Sequence, residues 1–134
     1  MSEGMKVRWG WLRFMYAYTI VGAGSFGLGI VVAPNVVESM FGFPRQDQIT
    51  FGINGSVYIA FAILSIFGLR SPLKFAPVLC LQLLYKVVWL VGVILPIVVA
   101  GRLPVYGMML TAIFATYIIG DLIAIPFRYV FSRD

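Results

Sequence analysis

Four long apolar runs decide what this chain can become. They cover residues 14–33, 51–69, 75–100 and 105–127. The first two hold no charge, the third holds only Lys86 and the fourth only Asp121. A helix rising 1.5 Å per residue needs about 20 residues to cross about 30 Å of hydrocarbon, so each run is near or above spanning length. Periodicity does not separate such runs from buried strands, but lipid does. An open sheet edge in hydrocarbon leaves backbone groups unpaired, and a closed barrel shows short alternating segments instead. The links at 70–74 and 101–104 are short enough to force antiparallel neighbours. The chain therefore reads as an all-α integral membrane bundle of four antiparallel transmembrane helices, one domain over residues 1–134.

The charge inventory supports this. Of 134 residues, 61% are apolar and 11% charged, against roughly 45–50% and about 25% in soluble domains. A small soluble domain has too little interior to hide that much apolar surface. A single cysteine, Cys80, excludes an intrachain disulfide, and the absence of histidine removes the commonest metal ligand. Neither a metal nor a cofactor is expected. The net charge of +5 does not point to nucleic acid, because the basic residues flank the apolar runs, where they orient the chain and meet lipid headgroups.

Lys6, Arg8, Arg13, Arg70, Lys74, Arg128 and Arg133 fall on one side, and only Arg45 and Arg102 on the other. Seven against two places both termini in the cytoplasm. Trp9, Trp11, Tyr16, Tyr18 and Tyr129 fit an aromatic belt on that side. The first run is too long for the core of a cleaved signal peptide. Between the first two runs, Pro34 suits a helix start and Gly42 a stop, so residues 35–41 read as a short interfacial helix.

Apolar burial does not drive helices together in lipid; close contact at small residues does. Ala112, Thr116, Gly120 and Ala124 form such a face on the fourth run, and Gly52, Ser56 and Ala60 on the second. Ser25 with Gly29 and Ala23 with Gly27 do so on the first. These faces serve either the bundle itself or a second copy or protein partner.

Lys86 and Asp121 are the informative pair. A charge at the bilayer centre costs roughly 2.5–3.5 kcal/mol and needs a partner or a wet cavity. Lys86 lies about 16 Å along its run, Asp121 about 9 Å from the opposite-running exit, and their side chains lean toward each other. An ion pair between the third and fourth spans is expected. Gln82, Tyr85 and Trp89 accompany Lys86, and Tyr117 stands one turn before Asp121. Asn54 is expected to lie too far outward to join. On this reading Lys86→Met and Asp121→Asn each destabilise the protein and a charge swap partly restores it. The cluster is either a structural pair fixing helix register or a ligand site.

Catalytic templates fail. No histidine serves a nucleophile, and the glycines at 22, 24, 27 and 29 stand in a membrane span rather than in a strand–turn–helix phosphate loop. The Phe-Gly-Phe-Pro turn at 41–44, the Gly52, Ile53, Asn54, Gly55 opening and the Leu84, Tyr85, Lys86, Val87, Val88, Trp89 run together resemble small bacterial four-helix membrane proteins of the broad DoxX-like type. That resemblance implies an inner-membrane, multi-pass protein, with relatives that act as accessory subunits or hold lipophilic ligands. The leading expectation is a non-catalytic accessory or assembly partner in the lipid bilayer. The alternative is a binder of a lipophilic or anionic small molecule in a cytoplasm-facing pocket around Lys86.

Overall fold

The computed structural model describes residues 7–133, so Lys6 lies outside the described residues. All regular structure among them is helical: α1 (Trp9–Val32), α2 (Pro34–Phe41), α3 (Gln48–Arg70), α4 (Ala76–Val99), α5 (Val105–Ala124) and α6 (Phe127–Val130). Helices α1, α3, α4 and α5 are long and apolar enough to cross a membrane. Their outer faces carry large exposed apolar side chains such as Val21, Leu28, Ile53, Leu84, Val88 and Ile119. A surface of that kind belongs against lipid rather than water. The chain is that of a multi-pass membrane protein.

Local chemistry sets the helix ends. Helix α1 begins five residues before the first charge-free run, because Arg13 extends beside Trp9, its guanidinium carbon 5.8 Å from the ring centroid. The Arg8 guanidinium donates to the Ile123 carbonyl at 2.8 Å, tying the start of α1 to the last turn of α5. Helix α2 opens on Pro34 and closes on Gly42, whose φ of +70° is the left-handed conformation glycine adopts freely. Helix α5 stops at Ala124, short of the expected 127. Pro126 forces Ile125 into an extended conformation (φ −70°, ψ 126°).

Asp47 caps α3. Its carboxylate accepts from the Thr50 N–H at 2.9 Å and the Thr50 hydroxyl at 2.7 Å. Those two donors stabilise the carboxylate and hold its pKa below the ordinary 3.8. A lowered carboxyl contributes stability above its unfolded value and loses it as pH falls through the folded one. Asp47→Ala should therefore lower the melting temperature by a constant amount from neutral pH down to about 5. The deficit should shrink below pH 3.8, as a melting series across pH will read.

Helix α4 is not uniform. Residues Leu90–Ile94 form a π turn, with the Leu95 N–H bonded to the Leu90 carbonyl. Pro96 follows. Proline lacks the N–H for the carbonyl four residues back and its ring presses on it, and a wide turn relieves that clash. The proline thus remodels the helix directly after Trp89.

Helix α1 packs chiefly along α3, and α5 packs on α1 and α4. The closest approach is at Gly27 and Gly55. A Cβ on Gly27 would stand 2.6 Å from the Gly55 carbonyl oxygen and 2.9 Å from the Ile59 nitrogen. Gly68 leaves room for the Tyr16 ring, whose hydroxyl donates to the Pro72 carbonyl at 2.6 Å. The expected stripe of Gly52, Ser56 and Ala60 does not pack within the chain. Ser56 and Ala60 are exposed, and a Cβ on Gly52 would meet nothing within 4 Å. Helical rotation is the reason: α3 turns Gly55, Ala62, Ser65 and Gly68 inward instead. On α5, Gly120 and Ala124 are buried, Gly120 against Met15, whereas Ala112 is exposed and Thr116 meets Tyr18 at the margin.

Candidate functional site

Five buried polar side chains collect among the four long helices: Thr19, Ser65, Gln82, Lys86 and Asp121. Lys86 is 2% exposed. Its Nζ leans back along α4, as helical side chains do, and donates to Gln82 Oε1 at 3.3 Å. Gln82 Nε2 donates to Thr19 Oγ1 at 3.2 Å, and Thr19 donates to the Met15 carbonyl at 2.8 Å. A polar chain thus runs from Lys86 to the backbone of α1.

The rest of the lysine head is enclosed by aromatic carbon. Nζ stands 4.4 Å from the Tyr117 ring centroid, 4.6 Å from Tyr85 and 5.2 Å from Phe114. Ring faces are negative, so they attract a cation where water is absent. Gly22 makes this cage possible, because a Cβ there would occupy the place of the Tyr117 hydroxyl. That hydroxyl donates to the Tyr18 carbonyl at 3.2 Å, and the Tyr18 ring stacks on Tyr117 at 4.3 Å.

The expected Lys86–Asp121 ion pair is not formed. Asp121 is wholly buried, and neither of its carboxylate oxygens has a hydrogen-bond partner among the described residues. At the depth of Lys86 the facing side of α5 is filled by Phe114 and Tyr117, one to two turns before Asp121. Rise per residue gives depth to within a turn, but the rotation of α5 about its axis decides which residue meets Nζ. Ser65 Oγ is the other buried side-chain oxygen without a partner among the described residues.

Lys86 lines a cavity of about 170 Å³ with Tyr18, Phe26, Tyr58, Tyr85 and Tyr117 among its walls. A second cavity of about 310 Å³ shares Phe26, Tyr58, Tyr85, Leu110 and Phe114 with it. The second reaches Gln46, Asn54 and Tyr106, at the end of the bundle carrying α2 and the α4–α5 connection. Trp89 lines it and packs on Phe114 at 4.9 Å. Asn54, expected outside the site, stands in its wall. Phe41 and Phe43 of the Phe-Gly-Phe-Pro turn lie against Phe26 at 5.2 and 6.4 Å.

Of the five side chains singled out around Lys86, Tyr85, Trp89 and Tyr117 line the two cavities, Gln82 accepts from Nζ, and Asp121 is buried without touching it. Sequence reasoning missed Thr19, Tyr18, Gly22, Phe26, Tyr58, Leu110 and Phe114. Their signal was present as helical spacing. Tyr18, Gly22 and Phe26 stand four apart on α1, as do Tyr106, Leu110 and Phe114 on α5. Among the described residues no cluster of Cys, Asp and Glu is arranged to hold a metal ion. No protein-family model, curated protein or solved structure matches the chain.

Proposed function

We propose that this membrane protein holds a lipophilic small molecule between its helices, with the polar end of that molecule at Lys86. The observation that carries the reading is the pair of adjoining aromatic cavities with Lys86 in the wall of the first. Small-molecule sites commonly measure about 300–1,000 Å³ and combine apolar walls with few polar groups. A closed ion pair without a cavity would have favoured a purely structural role instead. The walls also favour a neutral body over an anion. An anion would shed its water and meet one amine ringed by negative ring faces, with little else to donate to it.

The four long helices run up and down in antiparallel order, with α2 along one interface and both termini in the cytoplasm of a bacterial cell. The loose DoxX-like resemblance and the seven-to-two division of basic residues support this arrangement. In that orientation the polar end of the second cavity, at Gln46 and Asn54, faces away from the cytoplasm, opposite to the pocket expected from sequence. The accessory-partner reading keeps one observation. The half-buried Gly52 and the exposed Ser56 and Ala60 line a surface groove with Ile53 and Val57, which suits a neighbouring helix.

The test uses Trp89 as reporter after Trp9→Phe and Trp11→Phe. A mid-chain brominated fatty methyl ester should quench Trp89 strongly. The cavity-filling pair Ala23→Leu and Leu110→Phe should remove most of that quenching. Quenching that persists at full strength in the filled protein places the probe in bulk lipid and ends the reading.

A further inference from the structure

We infer that Lys86 captures lipophilic aldehydes as an imine, with Asp121 as the counter-ion of the adduct. The inference rests on the ligand-holding reading and names the ligand's reactive class.

Two unexplained features meet here. The Lys86 head makes one long hydrogen bond, 3.3 Å to Gln82, and touches no carboxylate among the described residues. It lines an aromatic cavity, the setting in which a desolvated lysine serves as a nucleophile toward carbonyl carbon. Asp121 is wholly buried with two oxygens that accept from nothing among the described residues, and it stands one turn along α5 from Tyr117, whose ring lies 4.4 Å from Nζ. An orphaned carboxylate beside a lysine that it does not touch serves poorly as a structural tie. It is placed to balance a protonated imine through its field.

The chemistry balances without an oxidant or reductant. The ammonium first releases one proton to water, which frees the Nζ lone pair. Nζ adds to the aldehyde carbon and the carbonyl π bond breaks. The carbonyl oxygen leaves as water, carrying the two protons that remained on the amine, and a C=N bond forms. That proton returns from water to the imine nitrogen, so the pair ends as cation and carboxylate. Aldehydes suit these walls better than acids or amines. A carbonyl sheds its water at modest cost, whereas an ion faces the full desolvation penalty. The hydrocarbon part then lies along Phe26, Leu110 and Phe114 toward the second cavity. Lys74 gives an internal control, being exposed and without such a cavity.

The experiment treats the full chain in mild detergent with hexadecanal, then borohydride, and maps the alkylated peptide by mass spectrometry. Retinal, a conjugated aldehyde, reports the protonation of the imine through its absorption. Alkylation at Lys86 should run about tenfold or more ahead of Lys74, because the aldehyde is held beside Nζ. It should vanish in Lys86→Arg and Lys86→Met. Asp121→Asn should keep the adduct but move its retinal band to the shorter wavelength of the unprotonated imine. Equal labelling of Lys74 and Lys86, or a band unmoved by Asp121→Asn, overturns the proposal. If Lys86 stays unlabelled while the brominated ester still quenches Trp89, aldehyde capture falls and ligand holding stands. If both signals are missing, both readings fall.

Discussion

Gly27→Ala should destabilise the bundle by about 3 kcal/mol or more, the upper end of what overpacking a close contact costs. The reason is the identity of the atoms in the way. The new methyl group would meet the Gly55 carbonyl oxygen and the Ile59 nitrogen, both backbone. Neither can move without separating α1 from α3, the most extensive helix pair in the fold. Gly120→Ala meets only the end of the Met15 side chain. Methionine is unbranched and turns aside easily, so that change should cost about 1 kcal/mol. Gly52→Ala meets nothing within 4 Å and should be neutral or stabilising by up to about 1 kcal/mol through helix propensity. Unfolding of the three variants in one mild detergent ranks them directly. Equal losses at all three positions would contradict the tight Gly27–Gly55 crossing.

That ranking shows where sequence reading stops. Small residues four apart were visible on α1, α3 and α5 alike. Which stripe faces inward depends on helix rotation, and in lipid both faces are apolar, so hydrophobic patterning gives no direction. The stripe through Gly27 was therefore legible only as one candidate among several, and the stripe through Gly52 turned out to face outward. Helix ends were readable where a residue dictates backbone geometry. Pro34 and Gly42 bracket α2 as expected, and Pro126 ends α5 early. The π turn before Pro96 was missed, because a proline near the end of an apolar run does not say whether the helix stops, kinks or widens.

The site followed the same rule. Lys86 and Asp121 stood out because charge is scarce in the spans, and both are buried. The spacing of Gln82 four residues before Lys86 gave a real hydrogen bond. Pairing across helices did not follow, since it required knowing that Tyr117 rather than Asp121 faces Nζ. The aromatic cage was hidden by its own composition. Tyrosine and phenylalanine are frequent throughout the chain, and the stripe that lines a cavity has no different residue types from one that fills a core.

The missing ion pair reverses the sign of a mutational expectation, and the effect is large. If Asp121 were paired with Lys86, Asp121→Asn would strip a buried lysine of its partner and cost several kcal/mol. With both oxygens buried and unpartnered, the substitution instead removes an uncompensated carboxyl. It should raise stability by about 1 kcal/mol or more, because desolvating an unpartnered ionisable group costs more than desolvating the equally unpartnered neutral amide that replaces it. Lys86→Met should change stability less. Methionine keeps the length of the stem and contacts the same rings favourably, while three cation–π contacts and one hydrogen bond are lost. Thermal unfolding of both variants and of the double variant decides it. A stabilised Asp121→Asn protein with an altered imine spectrum would mean that the chain retains a costly buried acid for chemistry rather than for folding, as sites selected for function do. A strongly destabilised Asp121→Asn protein rescued by Lys86→Met would instead restore the ion pair and remove Asp121 from the site.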